Sequence, residues 1–323
     1  MAHRSAPAPH GTAQPSVALS PGQAAAVPAG RRVVVTAWHR TPQGRLALRI
    51  LLHVFLIAVG LTYLMPFWWM VATSLKPKTA IYHIPPLWLP FQAPDVWDRL
   101  VWENYPRAVR FIPFFTYLKN TLVIAVLAAL GTFISCPPVA YSLARIPWPG
   151  RNILFGLTLA TLFLPYQVTL IPLFLVFRTL GWVGTPLPLI VPHWLGGAFY
   201  IFLLRQFFMT IPQELTDAAR IDGASEFRIY WNIMLPLAKP ALATVIVFEF
   251  LRAWRDFLGP LIYLNRKELY TLSLGLQQFR SEFDVEWAML MAASVLITFP
   301  VIVVFFFAQR TFIRGITLTG IKG

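Results

Sequence analysis

The stretch NTLVIAVLAALGTFISCPPVAYSLA, residues 120–144, decides the fold class because it contains no Asp, Glu, Lys or Arg. An α-helix rises about 1.5 Å per residue, so roughly 20 apolar residues cross a hydrocarbon core of about 30 Å. Four more windows of sufficient length lack these charged residues: 50–75, 152–177, 179–204 and 287–309. The pattern predicts an all-α integral membrane protein.

The overall composition supports the same class. Of the 323 residues, 57% are hydrophobic and only 12% are charged, and the mean hydropathy is +0.62. An ordinary soluble domain carries roughly 25% charged residues. This composition excludes a soluble enzyme, a disulfide scaffold and a disordered protein as the main class. Cys136 is the only cysteine, so it forms no internal disulfide, and its apolar surroundings predict a small buried side chain.

A further apolar segment, about residues 240–264, is interrupted by four charges: Glu249, Arg252, Arg255 and Asp256. Counting this segment, we predict six transmembrane helices in a domain that covers residues 46–323. The predicted spans are residues 50–75, 120–144, 152–177, 185–204, 240–264 and 287–309. Residues 1–45 are rich in Ala, Pro and Gly and contain no acid, which predicts a flexible cytoplasmic tail.

The Lys and Arg residues indicate the orientation. Of the 27, 15 fall on the side of the two termini and of the loop between the fourth and fifth spans, 10 fall on the other side, and two lie in the fifth span. Because cytoplasmic segments carry an excess of Lys and Arg, we predict that both termini and this loop, about residues 205–239, are cytoplasmic. The charge of +14 flanks the spans and forms no single stripe, so we expect contact with membrane lipid and none with nucleic acid.

The loop at residues 205–239 has the local pattern of two short helices joined by a turn. Glu214 and Asp217 put negative charge near a helix N-terminus, where the helix dipole favours it. Ala218 and Ala219 leave a smooth surface for close approach, and Gly223 supplies a break at the end of the helix. Such a helix is suited to docking a partner, and an amphipathic helix lying on lipid headgroups is the alternative.

Three parts of this loop resemble the EAA loop of importer-type ABC permeases: Asp217-Ala-Ala, Gly223 and Ile233-x-Leu235-Pro236. The longer run from Glu214 to Pro240 is similar to the carbohydrate-uptake subgroup seen in maltose-like systems. The resemblance covers about residues 46–323, and other stretches that carry it are Glu103-Asn-Tyr105, Tyr117-x-x-Asn120 and Ala140-Tyr-Ser-Leu-Ala-Arg145.

The resemblance implies that the loop forms a coupling helix, which docks into a groove of a cytoplasmic ATPase subunit. The residues that it assigns to this coupling are Glu214, Asp217, Ala218, Ala219, Asp222, Gly223 and Pro236. It further implies a second permease subunit in a hetero-dimer, two ATPase subunits, an extracytoplasmic substrate-binding protein and a place in the bacterial inner membrane. Asp217 is one methylene shorter than the Glu that the family usually has there.

The chain contains no Gly-Lys dipeptide and therefore no phosphate-binding loop of the pattern G-x-x-x-x-G-K-[ST]. We expect no catalytic site, metal or cofactor on this chain, with ATP and Mg²⁺ bound by the partner ATPase. A carbohydrate permease is the predicted function. A secondary carrier or channel that is not driven by ATP is the alternative, and a membrane-embedded transferase ranks last because the sequence lacks clustered catalytic residues.

The charges of the fifth span are costly in a bilayer unless they face protein or water and form pairs. Glu249 and Arg252 at i,i+3, and Arg252 and Asp256 at i,i+4, are predicted to pair on one helix face. Our hypothesis is that Trp254, Arg255 and Asp256 line a translocation path for a sugar. A structural ion-pair network against the partner permease is the alternative.

Overall fold

The computed structural model describes residues 42–88, 100–280 and 285–319. Within these ranges the elements are helical, and the one strand-like feature is an isolated antiparallel bridge between Arg280 and Val285. The prediction of an all-α membrane protein is therefore confirmed. Most of the predicted tail, as far as residue 41, lies outside the described residues.

The α-helices of the described residues are α1 (Pro42–Ser74), α2 (Lys78–Ile81), α3 (Asn104–Phe111), α4 (Phe114–Arg145), α5 (Arg151–Thr161), α6 (Tyr166–Thr179), α7 (Leu187–Ile190), α8 (Ala198–Thr210), α9 (Glu214–Ile221), α10 (Glu226–Ile229), α11 (Leu235–Leu237), α12 (Lys239–Trp254), α13 (Leu258–Tyr263), α14 (Leu272–Gly275) and α15 (Trp287–Thr319). Short 3₁₀ turns lie at Val191–Leu195, Lys267–Leu269 and Leu276–Phe279, and a π-helical turn lies at Tyr230–Met234.

The chain divides into two units after Thr62, within α1. The described part of the first unit, residues 42–62, is one continuous and mostly apolar helix. The second unit begins at Tyr63 and contains all the other helices.

Four helical segments are long and apolar enough to cross a membrane: Arg45–Ser74, Phe114–Arg145, Leu187–Thr210 and Trp287–Gln309. Two helix pairs qualify only as sharply bent spans. α5 and α6 meet at 98°, and the stretch Glu226–Leu237 meets α12 at 76°. The described residues thus contain four candidate spans, or up to six if each bent pair is one span. The predicted fifth span, residues 240–264, shares only α12 with the second pair, because the stretch Glu226–Leu237 lies in the loop that is predicted to be cytoplasmic.

The predicted third span, residues 152–177, and the predicted fifth span, residues 240–264, are not continuous helices. The break between α5 and α6 lies at Pro165. A proline has no backbone N–H to donate to the preceding turn, so it interrupts the helical hydrogen bonds. In the fifth span α12 ends at Trp254, and Arg255–Phe257 are non-helical before α13 begins. The predicted continuous crossing over residues 240–264 is therefore wrong in its C-terminal part.

Helix α4 contributes to the two largest buried clusters of the second unit. Its C-terminal half packs with buried side chains of α8 and α12, among them Leu204, Phe208 and Val245. Its N-terminal part packs with α15 and with the loop after α13, where Leu272 and Ala292 are fully buried. This one helix therefore connects the cores at the two ends of the unit.

Two small residues on α4 allow the 3₁₀ turn at Val191–Leu195 to approach closely. Cys136 is buried, as predicted, and its Sγ accepts the N–H of Gly197 at 3.2 Å. A Cβ atom added to Gly131 would lie 2.3 Å from Cδ1 of Trp194, far inside van der Waals contact. The position of the Trp194 indole therefore requires glycine at residue 131.

We expect Gly131→Ala to lower the free energy of unfolding by about 1–3 kcal/mol, because the new methyl group overpacks the contact with Trp194. Thermal unfolding in detergent measures the effect. The matched control is Gly156→Ala in α5, where an added Cβ meets no atom within 4 Å and the higher helix propensity of Ala is the main change. Equal melting temperatures for the two variants would contradict this assignment.

Candidate functional site

The loop between α8 and α12 occupies residues 211–238. It starts later than the predicted range, 205–239, because α8 extends to Thr210. Its first helix, α9, carries Glu214 and Asp217 in the first turn, where the helix dipole stabilises negative charge. The short helix that the sequence predicts is therefore present, with its acids at the expected end.

Gly223 ends this helix, as the sequence predicts. Its φ angle is 76°, in the left-handed region that side chains other than hydrogen disfavour. Its N–H donates to the carbonyl of Arg220 at 3.0 Å, and the next N–H, of Ala224, donates to the carbonyl of Ala219 at 2.9 Å. These bonds satisfy carbonyl groups that the end of a helix leaves free.

The residues assigned to ATPase coupling do not share one environment. Ala219 is buried in the core cluster of α4 and α8, so it packs the helix in place and does not face outward. Pro236 is exposed but lies in α11, beyond the π-helical turn. Leu215 and Ile221, which the sequence analysis missed, are exposed on α9. The assigned residues that are exposed on α9 and its C-terminal turn are Glu214, Asp217, Ala218, Asp222 and Gly223.

A chain of side chains links α9 to α10 and α4. Arg220 donates from Nη1 to Oδ1 of Asp217 and from Nε to Oε1 of Glu226, both at 2.8 Å. The hydrogen bond to Glu226 raises the pKa of the Arg220 guanidinium. Glu226 also accepts the hydroxyl proton of Tyr141, on α4, at 2.7 Å. The sequence alone does not predict this link, for which the i,i+3 spacing of Asp217 and Arg220 is the only local signal.

The C-terminal end of α4 also binds the chain just before α9. Arg145 donates from Nε to the carbonyl of Phe208 at 3.0 Å, and its Nη2 donates to the carbonyl of Ile211. These carbonyls lie at the end of α8, where a helix has no internal donors left for them. The segment Ala140–Arg145, noted in the sequence only as part of a resemblance, therefore binds the chain both before and after α9.

The opposite end of α4 anchors the loop after α13. Asn120 donates from Nδ2 to the carbonyls of Glu268 at 2.7 Å and Tyr270 at 3.0 Å. The hydroxyl of Thr121 accepts the N–H of Leu272 at 2.9 Å. The hydrogen-bonding residues near the two ends of α4 thus bind two different loops.

A cleft of about 510 Å³ lies among α6, the segment from Pro188 to Tyr200, and the C-terminal part of the fifth span. Most of its wall is apolar or aromatic. Its ionisable lining residues, apart from tyrosines, are His193, Glu249, Arg252 and Asp256. A concave site with apolar walls and a few convergent polar groups is the usual form of a small-molecule site.

Glu249 is fully buried and contacts two basic side chains, Arg252 on its own helix and His193 on the 3₁₀ turn. Arg252 approaches its carboxylate with N–O distances of 2.6–3.1 Å, which confirms the predicted i,i+3 pair. His193 lies on the 3₁₀ turn, with Nδ1 3.2 Å from Oε1 of Glu249 and Nε2 2.7 Å from Nη2 of Arg252. The sequence alone does not predict the role of His193, because nothing local connects residue 193 with residue 249.

The three residues proposed for the translocation path are in different environments. Trp254 is only 3% exposed, and its indole N–H donates to the carbonyl of Ile297 on α15 at 3.2 Å. It therefore packs in the core and does not line the cleft. Arg255 is exposed and also lies outside the cleft lining, whereas Asp256 is part of it.

The predicted ion pair between Arg252 and Asp256 is absent from the described part of the chain. Because α12 ends at Trp254, residue 256 is no longer one helical turn from residue 252. Oδ1 of Asp256 instead accepts the N–H of Gly259 at 3.1 Å. The charge of Asp256 is therefore left without a cationic partner among the described residues.

Comparison with known proteins gives a consistent set of matches. Residues 137–318 match the family described as "Binding-protein-dependent transport system inner membrane component". The chain is 35% identical over 280 residues to the arabinooligosaccharides transport system permease protein AraQ of Bacillus subtilis (strain 168), which covers 85% of this chain and 96% of AraQ. It is 32% identical over 278 residues to the sn-glycerol-3-phosphate transport system permease protein UgpE of Yersinia enterocolitica, covering 85% and 98%.

Among solved structures, the fold is similar to a chain of a bacterial ABC transporter involved in the import of the acidic polysaccharide alginate. The TM-score is 0.70 at 24% sequence identity, and the match covers 84% of this chain and 98% of that chain. At this identity the match supports the fold alone.

Replacing Arg252 with Met removes the cation that neutralises the buried Glu249. We expect the free energy of unfolding to fall by about 2–3 kcal/mol, below the roughly 3–5 kcal/mol typical of a fully buried pair, because the Arg252 side chain is 39% exposed. Thermal unfolding in detergent measures the loss.

The matched control is Arg255→Met, which changes the same residue type at an exposed position and is expected to alter stability by less than about 0.5 kcal/mol. Adding Glu249→Gln to Arg252→Met removes the unpaired carboxylate at this position and should restore most of the lost stability. A double variant as unstable as the single one would show that the ion pair is not the cause.

Proposed function

The chain belongs to the family of binding-protein-dependent transport system inner membrane components, and on that premise we propose that it forms half of a translocation path for a carbohydrate. A member of this family is a multi-pass inner membrane permease of an ABC importer. It has no nucleotide site or cofactor of its own, and it works with a separate ATPase and a binding protein.

Carbohydrate as the cargo is supported by the relatives and by the cleft. AraQ is named for arabinooligosaccharides. In this chain the cleft is lined by the carboxylates of Glu249 and Asp256 and by aromatic rings that include those of Tyr166 and Phe199. Carboxylates accept hydrogen bonds from hydroxyl groups, and aromatic rings present flat apolar faces, so both suit a sugar.

The contact with the ATPase is proposed for the exposed side of α9. The observation that supports this assignment is that the opposite side of α9 is attached to α4 by hydrogen bonds and packing. Arg220, Glu226 and Tyr141 join α9 to α4 through a continuous series of hydrogen bonds, and Ala219 packs into the core. A force applied to α9 therefore reaches α4 through packed side chains and hydrogen bonds.

The proposed assembly contains a second permease subunit in a hetero-dimer and two ATPase subunits on the cytoplasmic side. The binding protein delivers the cargo on the opposite face. Both termini and the loop at residues 211–238 are proposed to be cytoplasmic, on the basis of the Lys and Arg distribution.

We expect Leu215→Arg on α9 to lower recovery of the ATPase with the purified permease by about tenfold, because a long charged side chain replaces an exposed apolar one on the side of α9 that is proposed to dock. Co-purification and ATP hydrolysis by the reconstituted complex measure the effect.

The matched control is Leu180→Arg, since Leu180 is an exposed leucine in the connection after α6, predicted to lie on the other side of the membrane. Leu180→Arg should leave ATPase recovery unchanged. Full recovery of the ATPase with Leu215→Arg would exclude α9 as its docking site.

Orientation is tested with single cysteines, after Cys136 has been replaced by Ser to preserve an acceptor for the Gly197 N–H. A membrane-impermeant maleimide should label Asp222→Cys in inside-out vesicles and not in intact cells. Leu180→Cys should show the opposite pattern. Labelling of Asp222→Cys from outside an intact cell would invert the proposed topology.

A further inference from the structure

The cleft contains four ionisable side chains apart from tyrosines. Glu249, Arg252 and Asp256 line it together with His193, and no other Asp, Glu, Lys or Arg of the described residues is part of its wall. The hydrogen bonds and contacts of these four groups determine the net charge of the lining.

His193 is uncharged in this arrangement. Its Nε2 lies 2.7 Å from Nη2 of Arg252, and a guanidinium group only donates hydrogen bonds. Nε2 must therefore accept, so it carries no proton. The ring proton is then on Nδ1, which lies 3.2 Å from the carboxylate of Glu249. The result is a neutral imidazole in one defined tautomer.

Glu249 and Arg252 neutralise each other. Their N–O distances are 2.6–3.1 Å, and Glu249 is completely buried, so its carboxylate is paired with Arg252. The charge that remains is that of Asp256, which accepts one backbone N–H from Gly259 and forms no ion pair with a described residue, so Arg252 acts on it only through longer-range electrostatics. The lining therefore carries a net charge of about minus one.

The surroundings of Asp256 strengthen the effect of this charge. Leu162, Leu173 and Leu258 contribute to the largely apolar wall of the cleft. Apolar walls exclude water and concentrate the electric field of a charge within a cleft. An anionic solute is therefore repelled, whereas a hydroxyl group can donate a hydrogen bond to the carboxylate.

We propose that Asp256 makes this cleft a subsite for uncharged, hydroxyl-rich solutes, namely neutral sugars, and that it excludes sugar phosphates and sugar acids. The proposal rests on the proposed function, since it concerns the cargo that passes the cleft. It favours the kind of cargo for which AraQ is named over the kind for which UgpE is named.

The charge of the cleft can be measured without knowing the cargo. The assembled complex, with Cys136→Ser and Leu258→Cys, is reconstituted in proteoliposomes, because Leu258 is an exposed part of the cleft wall. Three methanethiosulfonate reagents of similar size are compared: ethylammonium, hydroxyethyl and ethylsulfonate. Each rate is divided by the rate of the same reagent with a free thiol in solution.

We expect the cationic reagent to react about tenfold faster than the anionic one at Leu258→Cys, with the neutral reagent between them. Asp256→Asn should bring this ratio close to one, and Asp256→Glu should preserve it. The matched control is Leu180→Cys, which lies outside the cleft, and Asp256→Asn should not change its ratio.

A faster reaction of the anionic reagent, or a ratio unchanged by Asp256→Asn, would overturn the proposal. So would a cysteine at residue 258 that the neutral reagent cannot reach, because the cleft would then be closed to solutes in the assembly. Failure of the proposed function shows in a separate measurement, the recovery of the ATPase with Leu215→Arg. The two proposals can therefore fail independently.

Discussion

The charge-free interior of α4 confines its strongest polar contacts to its two ends, and other parts of the second unit are attached there. A bilayer core does not solvate polar groups, so hydrogen-bonding side chains are stable near the ends of a span or where protein surrounds them. At one end Asn120 and Thr121 bind the loop after α13. At the other end Tyr141 and Arg145 bind the loop that contains α9. One apolar helix thus connects the two loops.

Interruptions in three spans create the cleft. Pro165 separates α5 from α6, Gly196 has a φ angle of 95° between the 3₁₀ turn and α8, and α12 ends at Trp254. Non-helical backbone at membrane depth is tolerated where it is buried in protein or lines a cavity. Here the interruptions bring His193 and Asp256 to one cleft. His193 and Asp256 therefore come from the interrupted segments, whereas Glu249 and Arg252 come from the last turns of α12.

The loop between α8 and α12 combines an exposed helix with a rigid base. The exposed side of α9 has acids, a small residue and two apolar side chains, whereas Ala219 packs into the core on the other side. Arg220 connects this helix to Glu226, and Glu226 connects it to Tyr141 of α4. This architecture suits a helix that receives a movement from a partner and transfers it to the spans.

The sequence by itself determined the features with a local cause. Charge-free windows predict membrane helices, an acidic first turn and a glycine predict α9 and its end at Gly223, and i,i+3 spacing predicts the Glu249–Arg252 pair. Only the tertiary structure decided that His193 joins this pair, that Trp254 packs against α15, and that Asp256 has no cationic partner among the described residues. The physical reason is that periodicity and charge act between residues a few positions apart, whereas these contacts depend on where each helix ends and on how segments distant along the chain pack together.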